Sequence, residues 1–305
     1  MYGNSKRATR KPAEAVPFAM ASRKGESIGA PAPCARTRVR GARAGPSKRN
    51  RSTYNRSVGN KYLSYDDQRA PKVRAMFSRL AGRYDVVNDV MSFGLHRRWK
   101  KDTVRLALAG RTGPVRILDL CCGTGDLSFL AEADARPGSR ITGLDFTLPM
   151  LGVAARRRSV ARSRSAFVQG DALRLPFPDG AFDVVTVGYG LRNIADPLAA
   201  LREMRRVLAP RGRVVVLDFG KPDSRAAGVV YQAFLRTVMP LMGWLFHGDP
   251  ETYLYIPESL ERYPAQRGVQ ALMREAGLDG ARYESRLLGT MGLNVAEAPA
   301  SPRPL

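Results

Sequence analysis

The sequence predicts an α/β protein with a mostly parallel, seven-stranded sheet that carries helices on both faces. Two features of the chain support this prediction. Strand-like apolar runs alternate with helix-like stretches, as in proteins that join parallel strands through crossover helices. Polar and glycine-rich segments directly follow those runs, at the strand ends where ligands bind in such sheets.

The individual elements follow from the spacing of apolar residues along the chain. Helical spacing predicts two helices within 71–109. The segment 222–264 is rich in aromatic residues and predicts a mostly helical insertion, and 265–297 predicts one helix and then two strands. Between these regions the pattern predicts five strands at 115–120, 140–145, 166–169, 182–187 and 213–218, with helices at 147–162 and 196–208.

Residues 1–60 differ sharply from the rest of the chain. They hold fourteen Lys and Arg against Glu14 and Glu26, so they carry 14 − 2 = +12 of the total charge of +23. The scarcity of apolar periodicity predicts disorder, and an Arg-rich, acid-poor composition is typical of an organellar transit peptide. A basic tail for nucleic acid or anionic surfaces, and a true start at Met20, are the alternatives. We expect one domain over 61–305.

The cysteines and histidines exclude most metal and disulfide chemistry. Only three Cys and two His are present in 305 residues. Cys121 and Cys122 are adjacent, and without other spaced ligands they cannot form a metal site. No apolar run is long enough to span a bilayer. The nearest, 229–246, is interrupted by polar residues and predicts a helix pair over the site or a surface that touches lipid.

A glycine turn is the most informative motif. Residues 118–126 predict a strand, a tight turn and a helix, and Gly123 and Gly125 allow a ligand to approach the backbone closely. Asp145 ends the next strand, where a carboxylate can accept hydrogen bonds from ribose hydroxyls. The third glycine of the dinucleotide fingerprint and the P-loop lysine are both missing. Carboxylates without a phosphate-binding cation favour a cationic adenosine cofactor, namely S-adenosylmethionine. The alternative is an ordinary strand–turn–helix connection.

From about Lys72 to Ala296 the chain resembles the C-methyltransferases of menaquinone, ubiquinone and phylloquinone biosynthesis. The most specific match is Gly190-Leu191-Arg192-Asn193. The resemblance implies the Rossmann-like fold of class I S-adenosylmethionine-dependent methyltransferases. Further motifs of the family stand along the whole segment, at residues 84–100, 118–126, 143–151, 170–183, 203–210 and 255–259.

Three details are similar to the photosynthetic branch of that family. They are Gly188-Tyr189 before the Gly-Leu-Arg-Asn motif, Asp218 where many members have glutamate, and the ending at 291–296. Together with the leader, they predict a plastid demethylphylloquinone methyltransferase. Menaquinone synthesis and a mitochondrial location are the alternatives within this interpretation.

The resemblance implies methyl transfer from S-adenosylmethionine to a ring carbon of a reduced, prenylated naphthoquinone. Arg192 and Asn193 are the implied catalytic residues, because a guanidinium in a dry site stabilises developing phenolate charge by roughly 2–4 kcal/mol. Tyr84 and Asp85 are expected to close the site from the N-terminal helices. The implied cofactor residues are Asp119 (amino group, directly or through water), Gly123, Thr124 and Gly125 (turn), Asp145 (ribose), Asp171 and Ala172 (adenine), and Gly188, which lacks the hydroxyl of other members.

Each of these roles has a plainer alternative. Arg192 is alternatively a surface or structural ion pair, Asn193 a helix cap before Asp196, and Tyr84 part of a turn. The quinone tail needs an apolar channel, so peripheral membrane contact is expected, and a homodimer is left open. We expect no nucleic-acid partner. The candidate channel wall, which is alternatively core packing, is Met239, Leu241, Met242, Trp244, Leu245 and Phe246.

Three competing functions remain open. An RNA methyltransferase would use the basic residues 1–60 to contact phosphates. A benzoquinol methyltransferase of the ubiquinone pathway would share the whole site. A nucleotide-binding module without catalysis would keep only the cofactor residues.

Overall fold

The computed structural model describes residues 69–82, 88–90, 92–248 and 251–301. The predicted leader, 1–60, lies outside these residues, and so do Tyr84 and Asp85. The described part forms one seven-stranded sheet in the order β3-β2-β1-β4-β5-β7-β6, in which β7 is antiparallel to both neighbours. The strands are β1 (Arg116–Leu120), β2 (Arg140–Asp145), β3 (Ala166–Gln169), β4 (Phe182–Gly188), β5 (Leu208–Phe219), β6 (Asp279–Arg286) and β7 (Met291–Glu297).

The helices confirm the predicted alternation. All strands from β1 to β5 are parallel, as the crossover pattern requires. A short 3₁₀ turn (Leu191–Asn193) follows β4. The helices are α1 (Arg69–Leu80), α2 (Leu95–Leu108), α3 (Asp126–Asp134), α4 (Leu148–Ala161), α5 (Pro197–Val207), α6 (Arg225–His247), α7 (Glu251–Arg262) and α8 (Ala265–Glu275).

Burial on both faces explains why the central strands are almost continuously apolar. Ile117, Val184 and Val215 pack on one face, against α2 and α3. Their sequence neighbours Leu118 and Val185 pack on the other face, against the remaining helices. Alternate residues of a strand point to opposite faces, so a sheet covered on both sides needs apolar residues at every position.

Two details differ from the sequence prediction or extend it. Strand β5 begins at Leu208, five residues before the predicted start, because the segment around Arg211 stays in the sheet. Arg211 adopts a left-handed φ of 57°, and its N–H donates to the carbonyl of Ala298. The predicted insertion at 222–264 consists of the two helices α6 and α7. Among the described residues, no helix is both long and apolar enough to cross a membrane.

The topology brings the predicted motifs to one edge of the sheet. The strand order reverses at β1, because β2 and β3 follow on one side of it and β4 and β5 on the other. Such a reversal opens a crevice at the carboxyl ends of the strands. The glycine turn, Asp145 and the 3₁₀ turn all follow strands that end at this crevice.

Candidate active site

The glycine turn after β1 has an open side and a packed side. Gly123 has a φ of +54°, and a Cβ built there would meet no atom within 4 Å. Gly125 has a φ of +90°, and a Cβ there would lie 2.9 Å from the rings of Phe129 and Phe167. Gly123 therefore leaves room for a ligand, whereas Gly125 allows helix α3 to pack closely against β3.

A cleft of about 390 Å³ opens beside Gly123 at the carboxyl ends of β1, β2 and β4. It brings together six of the predicted site residues: Gly123, Asp145, Asp171, Ala172, Gly188 and Asn193. Helix α1 contributes part of the wall that the sequence analysis did not assign. Its residues in the wall are Val73, Arg74 and Phe77, and the Arg74 guanidinium lies 5.1 Å from the centre of the Phe146 ring.

Asp145 joins the end of β2 to the glycine turn. One carboxylate oxygen accepts the N–H of Gly123 at 2.9 Å, and the other accepts the N–H of Thr147 at 2.8 Å. Burial raises the pKa of this carboxyl group, and the backbone donors oppose the rise. A carboxylate has about four acceptor positions. Asp145 lines the cleft, so its remaining acceptor positions can be reached from there. A contact with ribose hydroxyls would require such positions.

Asp119 lies one layer behind the cleft. It is buried, and its two oxygens accept the hydroxyls of Ser128 at 2.7 Å and Thr186 at 3.1 Å. Desolvation raises the pKa of Asp119 to about 7. Because Asp119 does not line the cleft, its geometry fits a contact with the amino group through water better than a direct one.

Two cations accompany Asp126 at the start of α3. Lys100 Nζ lies 2.5 Å from one carboxylate oxygen, and Arg157 Nη2 lies 2.6 Å from the other. Burial works in the opposite direction, but the two cations hold the pKa of Asp126 below its ordinary value. Arg157 also donates to Thr124, so the Thr124 hydroxyl contacts this pair and does not line the cleft. The two cations therefore neutralise Asp126 beside the turn, and neither of them lines the cleft.

The 3₁₀ turn packs directly against the glycine turn. A Cβ at Gly190 would lie 2.5 Å from the Cβ of Cys121, so glycine permits this close approach. The preceding residue, Tyr189, has a left-handed φ of 59°. Its carbonyl accepts Arg192 Nη1 at 2.7 Å and Asn193 Nδ2 at 3.3 Å. The two predicted catalytic residues therefore hold Tyr189 in a conformation that is uncommon for a residue with a side chain.

Arg192 is a buried cation, only 4 % exposed. Its Nη1 lies 2.6 Å from Asp218 Oδ1, and its backbone N–H donates to the other oxygen of Asp218. Its Nη2 donates to the Tyr255 hydroxyl at 3.3 Å, and the guanidinium lies 4.6 Å from the centre of the Phe219 ring. Of the alternative roles, a surface ion pair is wrong because the pair is buried, whereas a structural ion pair with Asp218 is present, and Arg192 also lines a second cavity.

Asn193 faces the cleft instead. Its Oδ1 is buried and has no hydrogen-bond partner within the part of the chain that the structure describes. The helix-cap alternative is wrong, because Asp196 caps α5 by accepting the N–H of Ala199 at 2.9 Å. A buried acceptor of this kind costs free energy unless a ligand supplies a donor.

The second cavity has a volume of about 990 Å³ and a mostly apolar wall. It lies on the other side of Tyr189, which lines both spaces. Side chains from α1, α2, α6 and α7 and from the turn between β6 and β7 form its wall. Those at the inner end include Trp99, Phe219, Tyr231, Phe234, Leu235 and Tyr255.

The predicted channel wall is mostly wrong. Of its six residues only Met239 lines the cavity, while Leu241, Trp244 and Leu245 are exposed. Met242 is half-buried, and the side chain of Phe246 lies outside the described part of the chain. Residues 231, 235 and 239 repeat every four positions and share the inward face of α6, which turns residues 241, 244 and 245 outward.

Three residues were missed as site residues: Tyr231 and Tyr255, which line the cavity, and Asp218, which pairs with Arg192 behind the wall. Tyr255 and Asp218 stand in motifs that the sequence analysis quoted without giving them a role. Tyr231 gave no signal, because a tyrosine in an aromatic-rich helix is ordinary core. Its hydroxyl is buried, lines the cavity, and finds no partner among the described residues. Desolvation raises the pKa of this hydroxyl, and Asp218 adds to the rise while Arg192 opposes it.

The sheet order, the glycine turn and the ribose-type carboxylate at one crevice define a class I S-adenosylmethionine-dependent methyltransferase. A solved chain from the Haloferax volcanii complex between the Trm112 methyltransferase activator and a methyltransferase has the same fold. It shares 20% identity and a TM-score of 0.52, over 73% of this chain and 97% of that one. None of the described segments gathers three His, Cys, Asp or Glu side chains that could hold a metal ion.

Within this class the chain belongs to the ubiE/COQ5 methyltransferase family, whose model matches residues 64–297. It is 45% identical to the demethylmenaquinone methyltransferase of Thermus thermophilus, over 73% of this chain and all of that protein. It is 40% identical to the ubiquinone/menaquinone biosynthesis C-methyltransferase UbiE of Pseudomonas paraeruginosa, over 77% of this chain and 91% of that protein. The predicted family, fold class and cofactor are confirmed.

Proposed function

We propose that this enzyme methylates a ring carbon of a reduced, prenylated naphthoquinone. The observation that carries the proposal is the meeting of two spaces at Tyr189. The cleft that contains Asp145, Asp171 and Asn193 lies on one side, and the larger apolar cavity lies on the other with Arg192. An enzyme that transfers a methyl group from a polar cofactor to an apolar acceptor needs two adjoining sites, because the methyl carbon and the acceptor carbon must be aligned where the sites meet.

The residues of the cleft fit S-adenosylmethionine. The open side of Gly123 gives the ligand access to the backbone, and Asp145 retains acceptor positions for the ribose. The unpartnered Oδ1 of Asn193 suits a donor such as the ammonium group. The bound cofactor supplies an electrophilic methyl group on a sulfonium. The buried carboxylate of Asp119 lies behind the turn, where it favours positive charge in the cleft.

Arg192 and Tyr231 are the groups that would contact the quinol ring. A hydroquinone becomes a carbon nucleophile as one hydroxyl loses its proton. The Arg192 guanidinium favours that phenolate, because an apolar wall keeps the local dielectric low. The Tyr231 hydroxyl can donate to an oxygen of the ring and thereby satisfy its own buried polar atom. Asp218 orients the guanidinium through its ion pair with Nη1.

The remaining volume of the cavity suits the tail of the substrate. Its apolar lining would bury prenyl or phytyl carbons at a gain of roughly 25 cal/mol per Å² of surface. Such a substrate resides in a bilayer, so we include peripheral membrane contact in the proposal. No nucleic acid is expected to take part, because neither space presents a basic groove.

The finer identity that we propose is a plastid enzyme that methylates demethylphylloquinol. Position 188 supports this branch, because a Cβ there would lie 2.7 Å from Leu127 Cδ1, so packing at this strand end is adapted to glycine. The composition of residues 1–60 supports targeting to a plastid, with a mitochondrion as the alternative. Menaquinone precursors share the same ring and are alternative substrates.

A panel of acceptors tests the proposal. The full chain is incubated with S-adenosylmethionine and with reduced phytyl naphthoquinol, prenyl naphthoquinol, prenyl benzoquinol or RNA, and products are analysed by mass spectrometry. We expect a naphthoquinol that is one methylene heavier, with the new methyl on a ring carbon. Methylation of the benzoquinol alone would move the enzyme to the ubiquinone pathway. Methylation of RNA alone, with binding lost when residues 1–60 are removed, would overturn the proposal.

A further inference from the structure

We propose that the mouth of the apolar cavity docks onto a lipid bilayer, with Phe93, Leu287 and Leu288 inserted among the acyl chains. This inference rests on the proposed function, since it names the partner surface through which a quinol tail would enter. The surface consists of these three residues, here called the rim, and of the adjoining outer face of helix α6.

The rim displays apolar side chains to solvent at the entrance of the cavity. Phe93 is 86 % exposed, Leu288 is 80 % exposed and Leu287 is 55 % exposed, and all three line the mouth. Large apolar side chains concentrated around one opening differ from single exposed ones, which are common on any surface. Such a concentration marks a site of interaction.

The backbone of the rim adopts an uncommon left-handed conformation at all three exposed residues. Phe93, Leu287 and Leu288 have φ values of 49°, 46° and 56°. Residues with a Cβ rarely adopt this left-handed conformation, and it persists only where the surrounding structure enforces it. Neither strain nor exposure of apolar surface stabilises the folded chain by itself. Both are therefore best explained by a partner that covers the side chains.

Helix α6 extends the apolar surface away from the mouth. Val230 lines the mouth and is exposed, and helical spacing places Leu241 and Trp244 on the same outer face. Trp244 is 63 % exposed, and tryptophan is enriched where proteins meet the interface of a bilayer. Tyr231 on the opposite side faces the protein interior, so the helix separates a packed face from an unpacked apolar one.

The chemistry around the rim favours lipid over a protein partner. Arg97 and Arg98 begin the helix that follows Phe93, and Arg286 directly precedes Leu287. Arg97 and Arg286 pair with Asp89 and Glu284, so the local charge is only moderately positive. The remainder of the chain after residue 60 adds to it, with 23 − 12 = +11. Exposed apolar side chains flanked by arginines, on a chain of net positive charge, match acyl chains below anionic headgroups.

The direct test is flotation of the full chain with substrate-free vesicles of phosphatidylcholine and phosphatidylglycerol. Salt of about 0.5 M reduces the contribution of the basic residues 1–60 to vesicle binding, because it screens electrostatic attraction. The double variant Phe93→Ser/Leu288→Ser should lower the partition coefficient about tenfold or more. The matched control is Val160→Ser on α4, because Val160 is 87 % exposed but does not line the cavity. The control should bind like the original chain. Equal binding by the double variant would overturn the proposal.

Fluorescence supplies a second, independent readout. The chain has two tryptophans, and Trp99 is buried. Vesicles should shift the emission to shorter wavelength, brominated lipids should quench it, and Trp244→Phe should abolish both effects. Emission that vesicles leave unchanged would show that the outer face of α6 stays in water.

The outcomes separate this inference from the proposed function. Vesicles without quinone report on the surface alone, while the acceptor panel reports on methylation. If the enzyme methylates naphthoquinol but the rim variants still bind vesicles normally, the docking surface is wrong and the function stands. If the rim instead mediates concentration-dependent association of two copies, which sedimentation of the double variant would reveal, the lipid proposal is overturned.

Discussion

Replacing Asp119 by asparagine should remove a large pH dependence of the folded state. Burial raises the pKa of Asp119 to about 7, against an ordinary value of 3.8. The folded protein therefore holds this proton more tightly than the unfolded chain does. Stability from Asp119 is fully present below about pH 4, and it is lost as the pH rises through 7. The loss is about 4 kcal/mol, because 7 − 3.8 is about 3 pKa units at 1.36 kcal/mol each.

Asparagine keeps the local hydrogen bonds. The partners of Asp119 are the hydroxyls of Ser128 and Thr186, which can either donate or accept, and the backbone N–H of Ser128, which the Oδ1 of asparagine can still accept. The variant therefore isolates the charge. Its free energy of unfolding relative to the original chain should increase by about 3 kcal/mol between about pH 5 and pH 8. Urea titrations followed by circular dichroism at several pH values measure this difference, and all other titrating groups cancel.

A matched control has the opposite pKa shift. The hydrogen bond from Arg116 holds the pKa of Asp183 below its ordinary value, so its stabilisation is present above about pH 4 and lost only below. Asp183→Asn should therefore change stability by a constant amount between about pH 5 and pH 8. A pH-independent difference for Asp119→Asn would refute the view that a buried carboxylate lies beneath the cofactor cleft.

Two further substitutions test the packing of the site. Tyr231→Phe should lower the turnover of naphthoquinol about tenfold, the cost of one lost hydrogen bond of about 1.4 kcal/mol. It should leave the free energy of unfolding in urea unchanged. The control Tyr283→Phe lies outside the cavity and should alter neither turnover nor stability. Normal turnover of Tyr231→Phe would show that Tyr231 does not contact the substrate. Gly190→Ala should destabilise the fold by about 1–3 kcal/mol, because its Cβ would lie 2.5 Å from that of Cys121. Gly228→Ala meets open space in α6 and should be neutral or stabilising in the same urea titration, and equal effects at the two positions would contradict this packing argument.

The order of elements was predictable because burial on both faces leaves a direct trace in the sequence. Every central strand appears as a continuous apolar run, and every polar site segment directly follows such a run. The position of Asp145 was predictable for the same reason, since a residue at the end of β2 lies at the carboxyl edge of the sheet. The strand β7 was predicted, but its insertion between β5 and β6 depends on pairing that a local pattern does not encode.

The depth of a residue at the site was not predictable. Asp119 and Asp145 were both assigned to the cofactor, yet only Asp145 lines the cleft. Asp119 is buried on one face of the sheet. The sequence does not indicate that the hydroxyls of Ser128 and Thr186 donate hydrogen bonds to it there. The partner of Arg192 was hidden in the same way, because Asp218 lies on a strand that becomes its neighbour only in the folded sheet.

Helix α6 has large apolar residues on both its packed and its exposed face, so composition alone did not identify the residues that line the cavity. The run from 229 to 246 contains both a packed face and an exposed face, and both are apolar. Helical periodicity normally separates them by polarity. Here that contrast is missing, so the wall of the cavity and the outer surface were assigned to the same residues. Large apolar side chains on the exposed side of a helix are unfavourable in water, which supports a partner that covers this side of α6.

The most direct test of the central claim compares cofactor binding with methylation in Arg192→Ala. Arg192 lines the acceptor cavity but not the cofactor cleft. Calorimetry should therefore give nearly unchanged affinity for S-adenosylmethionine, while methylation of reduced naphthoquinol should fall by roughly 10²–10³. Arg116→Ala, at the opposite end of β1, is the matched control and should retain both. Equal loss of binding and methylation in Arg192→Ala, or full retention of methylation, would contradict the assignment of this cavity to the quinol.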